Sequence, residues 1–219
     1  MPISALFLLT VFSAHPPNAG ETIYQYEERF GGSTWIGRYE VQFSGTQIAL
    51  VYSNAQTTQQ ISLDSALNGL AWSWTSTGDW VRAARRGTTV VVEGCLRGKQ
   101  RQIVRDLGDL PWYQAPDYSL APLATAPKGA RLSFWIISPV DFSFHRLSAR
   151  NAGPDVFDLG ETPIPAVRLI LSAPGIPALL WKNEYWYSPQ GAYLGFKGRR
   201  GGPLAPAGTV RLLQGKSGS

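Results

Sequence analysis

Asp141, Ser143 and His145 come closest, among the residues of this chain, to a nucleophilic catalytic set. A serine that is activated by a histidine, itself oriented by an acid, carries out acyl transfer in many enzymes. Here the three residues alternate along a predicted strand, so their side chains share one face. Strand neighbours two positions apart lie about 7 Å from each other, too far for a hydrogen bond between nucleophile and base. The sequence therefore predicts a polar surface face opposite Phe142 and Phe144, without catalytic residues.

Two carboxylate pairs, Glu27 with Glu28 and Asp106 with Asp109, offer a second kind of chemistry. Glycosidases use such pairs as general acid and base, and tryptophan-rich clefts bind sugars. However, adjacent residues on a strand point to opposite faces, so Glu27 and Glu28 cannot flank one bond. A glycan-binding or glycan-acting protein is therefore the lesser alternative, and we expect no enzyme.

Metal and cofactor chemistry has little support in the sequence. The chain contains two histidines, His15 and His145, and one cysteine, Cys95. This leaves no histidine-rich or thiolate metal site and no intramolecular disulfide. The P-loop, G-x-G-x-x-G, H-E-x-x-H and G-x-S-x-G patterns are absent from the sequence. We expect no cofactor and no metal, and we expect Cys95 to pack as a small hydrophobe in a strand.

Short strands must position all of these residues. In Thr34–Phe43, apolar or small residues alternate with Arg38, Glu40 and Gln42, as in a half-buried strand between glycine-containing turns. The same pattern predicts the strands Thr22–Phe30, Thr34–Phe43, Gln47–Ser53, Gln59–Leu63, Leu70–Thr75, Trp80–Arg85, Thr88–Cys95, Lys99–Asp106, Arg131–Ser138, Asp141–Ala149, Ile164–Ser172, Leu179–Tyr187, Ala192–Lys197 and Thr209–Leu213.

Tight turns between these strands predict an all-β fold. We expect a single antiparallel, strongly curved sheet, a half-barrel or flattened barrel, with little helix. One β domain is predicted over residues 21–214, followed by a disordered tail at 215–219.

The first twenty residues differ from the rest. Ile3–Phe12 is an apolar run followed by Pro16-Pro17, too short to span a bilayer but of the length of a signal-peptide core. Residues 1–20 are therefore predicted to be a signal peptide. We expect the protein to be exported to the periplasm or cell envelope.

One segment interrupts the strands. Gly108–Gly129, called the crossing below, contains Pro111, Pro116, Pro122 and Pro127, which prevent a continuous ladder. Connections of this length in a compact domain are uncommon and often functional. The sequence leaves two alternatives open. The crossing is either a lid over a ligand cavity or a plug that closes one end of the sheet.

Aromatic residues make up 12% of the chain and include 8 tryptophans. Trp72 and Trp74 share a strand face, as do Tyr24 and Tyr26, forming aromatic stripes. Such stripes either fill a core or line a ligand site. The predicted ligand-binding residues are Trp72, Trp74, Trp112, Tyr113, Trp135 and Trp186.

Charge gives the third function class. The 20 basic and 15 acidic residues leave a net charge of +5. Alternation places Arg97, Lys99, Arg101 and Arg105 on a common face. This face either contacts an anionic membrane surface or is simply solvated, and export argues against a nucleic-acid partner.

The leader, the run of strands, Leu110–Gln114 and the late hairpin Glu184–Gly191 together resemble secreted bacterial proteins of uncharacterised function with a LolA-like, lipoprotein-carrier-like half-barrel. That resemblance implies a curved sheet whose concave face accepts an acyl chain or another apolar guest. We expect a non-catalytic envelope protein that binds an apolar or amphipathic ligand such as a lipid. The alternative is an envelope structural or interaction module with a filled core.

Overall fold

Antiparallel strands form most of the molecule. A computed structural model describes residues 21–159, 163–175 and 181–217. The strands are β1 Glu21–Phe30, β2 Ser33–Ser44, β3 Gln47–Ser53, β4 Thr58–Leu63, β5 Gly69–Ser76, β6 Asp79–Arg86, β7 Thr89–Leu96, β8 Lys99–Asp106, β9 Arg131–Ile137, β10 Phe144–Asp158, β11 Pro163–Ser172, β12 Asn183–Tyr187, β13 Tyr193–Arg199 and β14 Ala207–Ser217.

All fourteen strands belong to one sheet with the order β8-β7-β6-β5-β4-β3-β2-β1-β14-β13-β12-β11-β10-β9. Every neighbouring pair is antiparallel. The two strands of each pair are also consecutive in the sequence, except for β1 and β14, the first and last strands. The sheet does not close, since β8 and β9 form its two edges. Two short helices, α1 Pro116–Ser119 and α2 Ala121–Thr125, lie in the crossing between these edges. The predicted all-β, single-sheet fold with little helix is confirmed.

Strand β10 shows the largest difference from the predicted boundaries. The sequence predicted it over Asp141–Ala149, but it extends to Asp158 and stays paired with β11. A bulge between Asn151 and Gly153, with a φ of 99° at Gly153, bends the strand. Glycine adopts this conformation at little cost, so Gly153-Pro154 bends the strand without ending it.

The two chain ends fit the predictions unequally. The predicted signal peptide, residues 1–20, lies outside the described residues. Strand β14 reaches Ser217, which pairs with Thr22 of β1, so the predicted tail was wrong for residues 215–217. In the described ranges, no helix combines the length and apolar character needed to cross a bilayer.

One face of the sheet, called the inner face below, carries two clusters of buried apolar side chains. Strand β2 shows how the sequence sets this face. Val41 is buried and Tyr39 half-buried against the clusters, whereas Arg38 and Gln42 are exposed. The predicted alternation of this strand is confirmed, because a period of two fixes the register of a sheet with one buried face.

The crossing packs into the inner face. Trp112 and Leu120 are each 0% exposed. The Gln114 side chain joins the crossing to β9, since its amide nitrogen donates to the carbonyl of Ile137 and its oxygen accepts from the Ile137 amide. At the end of α2, the Asn151 side chain donates to three main-chain carbonyls. This burial and these bonds favour a plug over a loose lid.

Candidate functional site

A pocket of about 500 Å³ opens where the crossing meets the strand ends of the first half of the sheet. Its apolar wall includes Leu70 of β5 and Pro111 and Tyr113 of the crossing. Ligand pockets commonly have volumes of roughly 300–1,000 Å³ and combine apolar walls with a few polar groups. We call this site the rim pocket.

Three charged residues also line the rim pocket, namely Asp64, Arg85 and Asp109. The Asp64 carboxylate is held by its own loop, since Oδ1 accepts from the amides of Ala66 and Asn68 at 2.9 Å each. The Arg85 Nε donates to the carbonyl of Gly87 at 2.8 Å. One pocket therefore offers both signs of charge beside an apolar wall.

The Tyr113 hydroxyl is suited to donate a hydrogen bond in this pocket. Burial raises the pKa of Tyr113, and the nearby charge of Asp64 raises it further. A phenol with a raised pKa stays protonated at neutral pH and is a hydrogen-bond donor rather than a base.

The structure brings four of the six predicted ligand-binding residues together. Trp72 and Trp112 are buried in one inner-face cluster, and Trp74 and Trp135 pack against it. Tyr113 belongs to the neighbouring cluster. A ligand contact is a prediction for all of them, and Tyr113 lines the rim pocket.

Trp186 does not lie with the other predicted residues. Its neighbours Tyr185 and Tyr187 face the inner cluster, so Trp186 points to the opposite face. There its ring lies 5.3 Å from that of Phe157, and Nε1 donates to Asp155 at 2.9 Å. Trp186 thus lies apart from the other five predicted residues, a separation that the alternation of Tyr185 and Tyr187 around it could have indicated, and its ligand contact stays a prediction.

Sequence reasoning missed a polar cluster on the inner face, built around the buried carboxylates of Glu28 and Asp117, which we call the inner polar cluster: Glu28, Tyr39, Tyr52, Asp117 and Arg200. Glu28 is 0% exposed. Its carboxylate accepts from Trp35 Nε1 at 2.6 Å and from the Tyr52 hydroxyl at 2.8 Å, and it lies 3.3 Å from the Arg200 guanidinium. These three partners compensate the burial of the charge.

Gly37 makes room for this carboxylate. A Cβ at position 37 would lie 2.8 Å from Glu28 Oε1, closer than side-chain atoms pack. Adjacent Glu27 points to the other face, where it pairs with Arg29 and Arg211. The prediction that Glu27 and Glu28 point apart is confirmed. That Glu28 is the buried member follows from contacts with residues as distant in sequence as Arg200.

Asp117 connects the inner polar cluster to the crossing. It is buried in α1 and accepts a hydrogen bond from the Tyr39 hydroxyl of β2. Burial raises the pKa of Asp117, although the Tyr39 hydrogen bond and the Arg200 guanidinium act to lower it. Burial, with the charge of Asp117 added, also raises the pKa of Tyr26 and Tyr187 well above the ordinary value. The Tyr39 hydrogen bond thus joins the crossing to β2, and the Tyr39 ring lies 4.8 Å from the Tyr52 ring, which belongs to the Glu28 side of the cluster.

Asp141, Ser143 and His145 make contacts that the sequence did not predict. Ser143 Oγ lies 2.7 Å from His145 Nε2 and 2.7 Å from Asp141 Oδ1. The expected separation was wrong because Asp141 and Ser143 lie in the connection between β9 and β10 rather than in a strand, with a φ of 62° at Phe142. The carboxylate contacts the serine rather than the histidine, so it does not orient the imidazole as a catalytic triad requires.

Metal ligands are not grouped in the part of the chain that the structure describes, where no three histidine, cysteine, aspartate or glutamate side chains could hold an ion. Cys95 is half-buried in β7.

Comparison with known proteins gives the fold and no family. No family model matches the chain. No curated protein matches it.

Two bacterial proteins are among the solved structures that are similar to this chain. The first is the beta-barrel-like protein of domain of unknown function DUF1849 from Brucella abortus, with 12% identity, a TM-score of 0.56, and coverage of 92% of this chain and 98% of that chain. The second is the hypothetical lipoprotein YmcC from Escherichia coli (K12), with 13% identity, a TM-score of 0.38, and coverage of 89% and 84%. The Brucella abortus protein shares the fold over nearly the whole chain, whereas the relation to lipoprotein carriers stays a prediction.

Proposed function

We propose that this chain is a non-catalytic protein of the bacterial cell envelope that holds an apolar or amphipathic ligand, such as a lipid. The observation that carries the proposal is the rim pocket, where an apolar wall of Leu70, Pro111 and Tyr113 adjoins the charged Arg85 and its acidic neighbours. An amphiphile satisfies such a site because its apolar part covers the wall while its polar head meets the charges.

The placement in the envelope rests on the apolar leader Ile3–Phe12. The ligand class rests on the pocket. Burying about 100 Å² of apolar ligand surface against its wall would contribute roughly 2.5 kcal/mol. A micromolar affinity needs about 8 kcal/mol, so the charged groups and a longer apolar contact must supply the rest.

A fluorescent fatty-acid titration tests the pocket directly. Leu70→Gln places a polar group on the apolar wall, and Arg85→Gln removes the cation. Each should weaken binding about tenfold, equivalent to ~1.4 kcal/mol. Matched controls are Val104→Gln, at a side chain that is 62% exposed, and Arg82→Gln, on the opposite face of the same strand as Arg85.

Equal affinity of all four variants would overturn the rim pocket as the ligand site. Native mass spectrometry of protein purified from its host envelope gives an independent answer. A lipid-sized adduct that is lost in Leu70→Gln would support the proposal, and its persistence would contradict it.

One observation favours a second candidate, a structural or interaction module with a filled core. The Trp112 and Leu120 side chains of the crossing are completely buried, so the centre of the inner face is occupied by the chain itself. For such a module, no lipid probe binds and the partner contacts an outer surface or an edge of the sheet.

A further inference from the structure

The basic residues of β6–β8 differ in their surroundings from basic residues elsewhere in the sheet. Arg29, Arg168 and Arg211 each form an ion pair. Seven basic side chains lie in β6–β8 and their turns, and within the described ranges none of them forms an ion pair: Arg82, Arg85, Arg86, Arg97, Lys99, Arg101 and Arg105. This end of the sheet therefore has uncompensated positive charge.

The same end of the sheet is a strand edge. β8 pairs with β7 along its whole length, and no strand of the described chain pairs with its other side. Toward β9, the Arg105 guanidinium near the end of β8 lies 5.2 Å from the Trp135 ring centre, and Phe142 of the β9–β10 connection packs over Gly94 of β7. Trp135 Nε1 also donates to the Leu107 carbonyl there, at 3.1 Å. The first half of β8 remains accessible, with Lys99 through Gln102 exposed.

The register of β8 orders the chemistry of this edge. Lys99, Arg101 and Ile103 pair with Leu96, Gly94 and Val92, so they lie on the inner face. Gln100, Gln102 and Val104 lie on the other face. A strand added beside β8 would meet two cations and then an apolar residue at alternate positions on one face.

We propose that the free edge of β8 is a docking edge for an extended acidic segment of a partner protein, which adds a strand to the sheet. Side chains of the pattern acidic, acidic, apolar at alternate positions would face Lys99, Arg101 and Ile103. The main-chain groups of the added strand would complete the ladder.

A membrane surface would fit this edge less well. A strand edge offers both N–H donors and C=O acceptors, whereas lipid phosphates are acceptors only and satisfy the N–H groups alone. Basic side chains also occur on edges as protection against aggregation. Protection against aggregation would explain the positive charge but predicts that no acidic strand binds. A binding experiment therefore distinguishes a protected edge from a docking edge.

The test measures how tightly a synthetic peptide binds the protein without its predicted leader. In the peptide, Asp, Asp and Val occupy successive alternate positions, and Thr occupies the positions between them. Lys99→Gln with Arg101→Gln should weaken binding about tenfold, since two charge contacts are lost. The matched control is Gln100→Glu with Gln102→Glu, which lowers the net charge by the same amount on the opposite face. Unchanged melting temperatures would show that both double variants fold.

Two N-methylated peptides test the strand pairing itself. Methylation at one set of alternate residues blocks the N–H groups that face β8, while methylation at the other set blocks those that face away. We expect one peptide to lose binding and the other to keep it. Equal binding of both would overturn strand addition, as would binding to phosphatidylserine vesicles but not to the parent peptide, because that result assigns the edge to a membrane.

Discussion

The Trp112 ring lies directly over Gly69, so closely that a Cβ at position 69 would come within 2.8 Å of ring carbon Cε3. The main-chain amide of Gly69 also donates to the Trp112 carbonyl at 2.7 Å. The crossing is thus joined to the start of β5 by both a ring and a backbone contact. Only a residue without a side chain permits this approach, which makes Trp112 part of the core.

Trp112→Ala should therefore destabilise the fold by about 3–5 kcal/mol, as for other buried tryptophans, because it opens a cavity. Fatty-acid affinity should stay the same, since the Trp112 side chain is beneath the surface. A chemical denaturation and a fluorescent fatty-acid titration on both proteins check this. A loss of less than about 1 kcal/mol in the free energy of unfolding, combined with weaker fatty-acid binding, would instead support the interpretation of the crossing as a lid.

Glu28→Gln should destabilise the protein more than Glu27→Gln. The first change leaves Arg200 without its counter-charge and weakens the bonds from Trp35 and Tyr52, at a cost of roughly 1–3 kcal/mol. The control removes surface pairs worth about 1 kcal/mol or less. Urea denaturation of both variants measures the difference in free energy of unfolding. Equal losses of stability would mean that the contacts of Glu28 contribute no more than the surface ion pairs of Glu27.

Asp117→Asn should change how stability depends on pH. Burial raises the pKa of Asp117 in the folded protein, so its protonated form contributes stability below the unfolded-state pKa. That contribution is lost as pH rises through the raised folded pKa. Asparagine stays neutral, so the free energy of unfolding of the variant should gain on that of the wild type from acidic to neutral pH.

The groups that face Asp117, namely Tyr39, Arg200 and Glu28, are the same in both proteins, so their contributions largely cancel in the comparison. Denaturation midpoints measured across that pH range provide the test. A difference that stays constant or shrinks as pH rises would contradict the raised pKa.

Asn151→Asp should destabilise the protein more than Asn151→Ala. The Asn151 amide nitrogen donates to the carbonyls of Leu123, Ala124 and Ala126 at 3.0, 3.3 and 2.8 Å. Alanine leaves these buried acceptors unpaired, at a cost of about 1–3 kcal/mol, whereas aspartate would place a negative oxygen against them. Thermal denaturation of both variants gives the order, and a milder aspartate variant would show that the bonds to α2 are unimportant.

The strands could be predicted because alternation and glycine turns are local. Each of the fourteen predicted segments overlaps a strand of the sheet. Errors in the predicted strand boundaries have local causes. At the bulge in β10, for example, Gly153-Pro154 is a dipeptide typical of a strand end, although the strand continues through it. Pairing of β1 with β14 could not be predicted this way, since it depends on residues at opposite ends of the chain.

The candidate site was harder to predict because its parts are distant in sequence. Tyr113 was identified from its aromatic character, but Arg85 lies near the end of β6 and Asp64 in the loop after β4, and only the sheet brings the two together. Arg200 and Glu28 are 172 positions apart. The topology of the sheet decides which residues meet in the rim pocket and in the inner polar cluster. The alternation of side chains along a single strand carries no information about that topology.

The pairing of β1 with β14 has a consequence for biosynthesis. Strands β1–β8 and β9–β14 are each simple up-and-down runs that can form as soon as they are made, but the contact between β1 and β14 joins residues from the two ends of the chain. During synthesis, β1 must wait with one unpaired edge until the last strand is made. Loss of β14 would therefore leave two smaller sheets with newly exposed edges, a state prone to aggregation.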